Sequence, residues 1–286
     1  MKRNTIFVIV TTIHFMSFTI GVIISTYNNP LWLKKTLWGY TIQERKADEI
    51  IIADDGSDNE TEEVINSFKD ILPIKHVWHK DNGFRKCMIL NKAITESVSD
   101  YLIFTDQDCI PRKDFIYTHA KFAQDGYFLS GGYFKLPMST SKAITQNDIY
   151  QQKPFQLKWL FDNEVKRSFK CTKLINNNTF TTFMNFITPA KASWNGCNSS
   201  TWRKNLIEVN GFNEDMLYGG EDRELGERLF HLGIHSKQIR YSAIIVHLDH
   251  NRPYKSQEVM DKNNIIRQKT KKERIIKTPK GINKFD

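Results

Sequence analysis

Residues 20–26, IGVIIST, form an unbroken apolar run that ends in two hydroxyls, the pattern of a strand covered on both faces. PLWLKKTLWGYTIQ follows, where Pro30 opens a helix and Leu33, Leu37 and Tyr40 recur at helical spacing. The alternation then repeats. EIIIADDGSD reads as a strand ending in a turn, TEEVINSFKDI as a helix and KHVWH as a short strand. FRKCMILNKAITESV reads as a third helix and YLIFT as a fourth strand. Such alternation predicts an α/β fold, a mostly parallel central sheet flanked by helices with right-handed crossovers. Ligands then bind at the carboxyl ends of the strands. Polar residues gather at those ends: Ser25-Thr26-Tyr27-Asn28, Asp54-Asp55 and Asp106-Gln107-Asp108.

From Met138 to Ser193 the periodicity weakens. PFQLKWLFDNEVKR fits an amphipathic helix, whereas LINNNTFTTF is polar and ambiguous. Order returns at WNGCNSSTWRKNLIEVNGF and at YGGEDRELGERLFHLGI, where Leu225 and Leu229 lie one turn apart and Gly233 stops the helix. YSAIIVHL reads as a further strand. One domain is expected over 16–254. Residues 255–286 lack a sustained apolar face and read as a basic arm, partly helical or disordered. At the other end, Lys2 and Arg3 precede an apolar stretch from Ile6 to Phe15, too short to span ~30 Å of hydrocarbon. Residues 1–15 are expected to be an extension, either untranslated, with Met16 as the start, or weakly interfacial.

Composition narrows the function classes. The chain of 286 residues is 40% hydrophobic, enough for a large core. Its net charge of +9 would fit nucleic acid, but from Lys255 onward there are ten Lys/Arg against four Asp/Glu. The body is therefore close to neutral. No nucleic-acid partner is expected, and the arm's surplus suits peripheral contact with an anionic membrane. Cys87, Cys109, Cys171 and Cys197 are widely spaced and form no CxxC pair. They read as reduced thiols, which fits a cytoplasmic setting, in solution or on the inner face of the cell membrane.

Each polar cluster has a bland reading beside the chemical one. About one Asp-x-Asp is expected by chance in a chain with 18 aspartates, and an isolated one reads better as an Asx turn. Two carboxylates at the end of a buried parallel strand instead face a ligand crevice, and hard oxygens suit magnesium or manganese. Asp54-Asp55-Gly56-Ser57 is a turn sequence as well as a base-binding candidate beside Tyr27. Acids at a helix start favour the macrodipole, which accounts for Glu221-Asp222 but not for Gly219-Gly220 before them. A carboxylate beside flexible glycines in a crevice is a candidate general base. His247 and His250 end a strand, where imidazole can ligate metal. On an extended chain residues three apart face opposite ways, so one of the two would ligate unless the strand ends between them. Lys80, Arg85 and Lys86 could neutralise a diphosphate or form a solvated edge.

Taken in order from Phe18 to Tyr254, VIISTYN, IIADDGS, KDNGFRKCMILNKAI, YLIFTDQDCIPRKDFI, WNGCNSSTWRK, GFNEDMLYGGEDRELGERL and the histidine segment resemble inverting GT-A glycosyltransferases. The likeness is to the family-two bacterial enzymes such as chondroitin polymerase, and GGED is also similar to the carboxyl-terminal region of β-1,4-galactosyltransferases. The resemblance implies a Rossmann-like GT-A fold and a UDP-sugar donor. It implies that Ser25, Tyr27, Asp54, Asp55 and Arg85 serve the nucleotide, with Asp106 near the ribose and metal. Asp108 and His247 or His250 would hold manganese or magnesium. Trp194, Asn195, Gly196 and Gly220 would line the sugar pocket, although GGN is commoner in the family at the first three positions. Asp222 would be the base and Glu221 an acceptor contact. The implied function is transfer of a hexose or N-acetylhexosamine, galactose type favoured, to a surface glycan, lipid-linked or free. A nucleotidyltransferase of sugar phosphates shares the strand-end acids, and a basic nucleic-acid-binding protein would use the arm.

Overall fold

The structure is a computed structural model that describes residues 18–189, 192–251 and 255–284. The expected extension 1–15 and the start at Met16 lie outside the described residues. The strands are β1 (Ile20–Thr26), β2 (Glu49–Asp54), β3 (Ile74–Trp78), β4 (Tyr101–Asp106), β5 (Cys109–Pro111), β6 (Tyr127–Ser130), β7 (Gly132–Lys135), β8 (Ser199–Trp202), β9 (His235–Gln238) and β10 (Ile244–His247). The main sheet has the order β3-β2-β1-β4-β8-β6-β9, with β3, β2, β1 and β4 parallel and β8 antiparallel to both its neighbours. A second sheet has the order β5-β10-β7.

Burial on both faces of β1 explains its unbroken apolar run. Ile20, Val22 and Ile24 pack with Leu33, Leu37 and Tyr40 of helix Pro30–Thr41. Ile23 packs on the other side with Ile89, Leu90 and Ala93 of helix Lys86–Glu96 and with Leu225 and Leu229 of helix Glu221–His231. Each such Ile, fully buried, contributes ~1.5–3 kcal/mol. A third cluster joins Ile110, Phe134, Ile244 and Val246 of the small sheet to Phe155 and Leu160. Gly233, with φ +91°, follows the 221–231 helix as expected.

Three stretches differ from their sequence patterns or resolve them. The expected helix over PFQLKWLFDNEVKR is shortened to Leu157–Asp162, after a 3-10 turn at Lys153–Phe155. The ambiguous LINNNTFTTF contributes to helix Asn178–Ile187, whose N-cap Asn177 accepts a hydrogen bond from the Phe180 N–H. The basic arm contains helix Gln257–Glu273, docked on the domain rather than standing off it. Thr270 donates to Glu224 at 2.9 Å, and Arg267 and Lys271 pair with Glu227. Asn210 donates to the Thr278 and Asn283 carbonyls, tying down the chain beyond the helix.

Candidate active site

Strand register sets the first part of the site. Ser25 lies opposite Asp106 and Thr26 opposite Asp54, so three strand ends meet. Ser25 Oγ donates to Asp106 Oδ1 at 2.5 Å, and Lys86 Nζ reaches the same oxygen at 2.6 Å. Gln107 is a clamp: its Oε1 accepts from Thr26 Oγ1 and from the Tyr27 N–H, and its Nε2 donates to the Tyr27 carbonyl. Tyr27 is thereby held with its ring exposed and its hydroxyl donating to Asp81 at 3.1 Å.

The paired aspartates after β2 have different roles. Asp54 is buried, accepts the Ser57 N–H at 2.8 Å and meets His76 Nε2 at 2.8 Å, the bonding of a turn. Asp55 meets His79 Nε2 at 2.7 Å and accepts the Arg85 N–H at 2.9 Å. Burial pushes the Asp55 carboxyl up, although Arg85 and His79 oppose the shift. Gly56 has φ +95°, and a Cβ there would meet the Asp81 backbone at 2.5 Å, so the turn requires glycine.

The Asp106-Gln107-Asp108 turn is where the chain leaves the main sheet for the small one. β5 begins at Cys109, which pairs with His247 at the end of β10. That register carries both imidazoles to Asp108: His247 Nε2 is 3.7 Å and His250 Nε2 3.0 Å from its Oδ2. The strand ends between the two histidines, and their rings lie nearly parallel with centroids 5.9 Å apart. Each Nδ1 faces a backbone carbonyl, of Leu248 at 2.7 Å and of Asn251 at 2.8 Å. A carbonyl only accepts, so in a neutral ring Nδ1 carries the hydrogen and Nε2 presents its lone pair. Burial alone would raise the Asp108 carboxyl, but His250 and His247, when protonated, hold it below the usual range through hydrogen bonding and positive charge. Asp108, Cys109 and His247 form a group compact enough to hold an ion. Burial pushes the Cys109 thiol well up, leaving carboxylate oxygen and imidazole nitrogen as the donors, a set that manganese accepts.

Glu221 and Asp222 begin helix Glu221–His231 behind Gly219 and Gly220, whose φ values are +108° and +94°. Glu221 Oε2 accepts the Gly219 N–H at 2.8 Å, closing the turn. Asp222 Oδ2 accepts the Gly196 N–H at 3.1 Å. Burial, then the Asp222 charge, pushes the Glu221 carboxyl up, which eases the repulsion between neighbouring acids. Burial alone would lower the Lys86 ammonium, but Asp106, Glu221 and Asp222 push it well up. Lys86 therefore joins the strand-end acids to the helix-start acids as one electrostatic unit. One turn further on, Glu224 and Arg228 form a buried ion pair, and Arg228 also donates to the Val209 and Gly211 carbonyls.

Most of the expected site residues converge, but the side chains of Trp194, Asn195 and Arg85 take other roles. Trp194 was expected in a sugar pocket but is buried between Phe104 and Phe128, at centroid distances of 5.4 and 5.7 Å. Its backbone is the seat of the 221–231 helix: a Cβ on Gly226 would meet Trp194 Cβ at 2.9 Å. Asn195 accepts a hydrogen bond from the Cys197 thiol at 3.3 Å and shapes the turn that delivers Gly196 to Asp222. The Arg85 guanidinium turns back to the Phe84 carbonyl, so its lysine neighbour enters the site in its place. The roles of Gln107 and His79 were not visible in the sequence, and Lys86 was read there as a diphosphate contact or part of a solvated edge.

Residues 21–192 match the model described as Glycosyl transferase family 2, and residues 182–251 match N-terminal domain of galactosyltransferase. The chain is 25% identical over 233 residues to chondroitin synthase of Escherichia coli, covering 77% of this chain and 33% of that protein. It is 25% identical to validoxylamine A glucosyltransferase of Streptomyces hygroscopicus subsp. jinggangensis, covering 75% of this chain and 52% of the other. The chain thus spans about a third to a half of these curated relatives. Among solved structures, mannosyltransferase PcManGT from Pyrobaculum calidifontis, in complex with GDP-Man and Mn2+, superposes with a TM-score of 0.58 at 17% identity. That match covers 92% of this chain and 67% of the other. S. aureus TarS 1-349 in complex with UDP-GlcNAc gives 0.55 at 16%, covering 82% and 59%. These likenesses show the GT-A fold. With more than half of its length matched by that family's model, the chain belongs to glycosyl transferase family 2.

Proposed function

We propose that the protein is a metal-dependent inverting transferase. It moves a hexose or N-acetylhexosamine, of galactose type, from a UDP-sugar to a glycan acceptor in surface polysaccharide or lipopolysaccharide synthesis. The observation that carries this reading is the position of Lys86, which touches Asp106 and whose ammonium is also favoured by the charges of Glu221 and Asp222. This charge coupling supports reading the strand-end acids and the candidate base as one site. Tyr27 offers an aromatic face and Asp55 a hydrogen-bond acceptor for the uracil ring.

Asp108, His247 and His250 would hold manganese, which when bound neutralises charge on the diphosphate leaving group. Asp222 takes the proton from the acceptor hydroxyl as its oxygen attacks the anomeric carbon. The bond to the UDP oxygen breaks on the opposite face, so an α-linked donor gives a β-linked product. The Gly196 N–H holds one Asp222 oxygen and the Arg223 N–H the other, at 2.7 Å, which fixes the carboxylate while leaving lone pairs on both oxygens. Glu221 closes the glycine turn through the Gly219 N–H and keeps the helix start in place.

Screening UDP-sugars with manganese and a glycan acceptor tests the reading. UDP release that depends on a galactose-type donor and stops with chelator is expected. Release of inorganic diphosphate, or transfer indifferent to chelator, would overturn it.

A further inference from the structure

From Val165 to Ile207 the sequence holds seven Lys/Arg and no Asp or Glu. Its first part borders a groove of ≈ 350 Å³ lined by Tyr133, Lys135, Glu164, Lys166, Lys170 and Lys173 among others. Lys135 pairs with Asp249 at 3.1 Å. Burial lowers the Lys173 ammonium, and the nearby charges of Arg240 and Lys170 lower it further. Positive charge is concentrated here in a partly dehydrated place. Next to these cations Phe169 is 72% exposed.

The neighbouring helix Asn178–Ile187 contains no charged residue and leaves Phe183, Phe186 and Ile187 exposed, Phe186 at 87%. Its inner side is fixed: Asn185 accepts the Tyr241 N–H and donates to Ser242 Oγ, both at 2.9 Å. Arg240, which acts on Lys173, immediately precedes that anchor, so the basic segment and the aromatic helix flank one loop. Exposed aromatics beside cations are the composition of a surface that sits in a lipid headgroup layer.

We propose that this basic and aromatic face docks on an anionic membrane surface. Charge complementarity favours lipid over a second copy of the chain, since a two-fold contact would set the same cations against each other. It also favours this face over the C-terminal helix and the segment after it. There Arg267 and Lys271 pair with Glu227, Lys277 with Glu208, Lys280 with Asp215 and Lys284 with Glu214. Tyr133 connects the face to the metal-holding group: its ring lies 5.9 Å from that of His247 and 5.5 Å from Lys173 Nζ. A docked molecule would therefore hold its cleft against the lipid. That the acceptor is anchored in the same lipid rests on the proposed transfer reaction, whereas the docking does not.

Vesicle sedimentation of the full chain tests the docking, comparing mixed phosphatidylglycerol–phosphatidylcholine vesicles with phosphatidylcholine alone. Binding to the anionic vesicles is expected, weakened about tenfold or more by high salt or by removal of the anionic lipid. The double variant Phe183→Ser, Phe186→Ser and the double variant Lys166→Ala, Lys170→Ala should each weaken it by a similar factor. Lys269→Ala with Lys272→Ala, on the C-terminal helix, should leave it unchanged. Absence of anionic-vesicle binding, or binding lost only in the C-terminal variant, would overturn the proposal. So would a wild-type dimer in gel filtration that the phenylalanine variant dissociates. UDP release with a soluble acceptor, measured on the phenylalanine variant, should stay at wild-type rate, which separates failed docking from failed chemistry.

Discussion

Individual carboxylates in this chain do different work according to the groups that meet them. Asp54 and Asp55 are adjacent, yet Asp54 is consumed by the Ser57 turn while Asp55 stands beside Tyr27 and Arg85. Asp108 differs again, because two imidazoles present Nε2 to it from beyond the end of β10. Asp108→Ala is expected to weaken UDP–manganese binding at least tenfold in calorimetry, since a hard-cation site loses its carboxylate. His247→Ala and His250→Ala should each weaken it too. Unchanged affinity in Asp108→Ala would make the Asp-x-Asp a turn and nothing more. These acids were legible in the sequence because strand-end position distinguishes them from chance matches. Gln107 and His79 were not, since an amide between two acids and a histidine beyond β3 carry no pattern. Trp194, which the family resemblance put in the sugar pocket, is buried instead, because Gly226 lets the helix close over its backbone.

Elements were legible where their buried stripe is apolar. The parallel strands and the helices between them follow from that rule. The helix Gln257–Glu273 does not, because its buried positions are Asn263 and Thr270. These are two turns apart on one face, a stripe that hydropathy cannot see. Asn263 Nδ2 donates to the Leu217 carbonyl at 3.0 Å and to the Gly219 carbonyl at 2.9 Å, and Met260 lies against Gly219. The arm is thus the floor under the glycine turn that presents Asp222. Asn263→Ala should lower kcat by roughly ten- to hundredfold, because small displacements of a reacting group are that costly. UDP–manganese affinity should hold, and the loss of stability should be about 1–3 kcal/mol for two abandoned carbonyls. Normal kcat in a destabilised variant would reduce the helix to a support for folding.

At the scale of the molecule, two sheets meet at one turn. Strand β4 of the main sheet ends at Asp106, β5 of the small sheet begins at Cys109, and the candidate ion-holding group forms at their junction. The second half of the site comes from helix Glu221–His231, packed on the same sheet face as Lys86's own helix. Among the described residues no helix is long and apolar enough to cross a membrane. Long-range pairing creates this arrangement, so the pieces are legible in order in the sequence but the Lys86–Asp106 contact is not. Asp222 is the proposed base of a transfer reaction assembled at that junction. Turnover and melting temperature of Asp222→Asn, measured on one preparation with the preferred UDP-sugar, test it most directly. Asparagine keeps the shape but cannot take up a proton, so transfer should fall by ~10²–10⁴-fold while UDP–manganese binding and melting temperature stay near wild type. Transfer at near wild-type rate, with only a stability loss below ~1 kcal/mol, would mark Asp222 as a helix-start acid and contradict the mechanism.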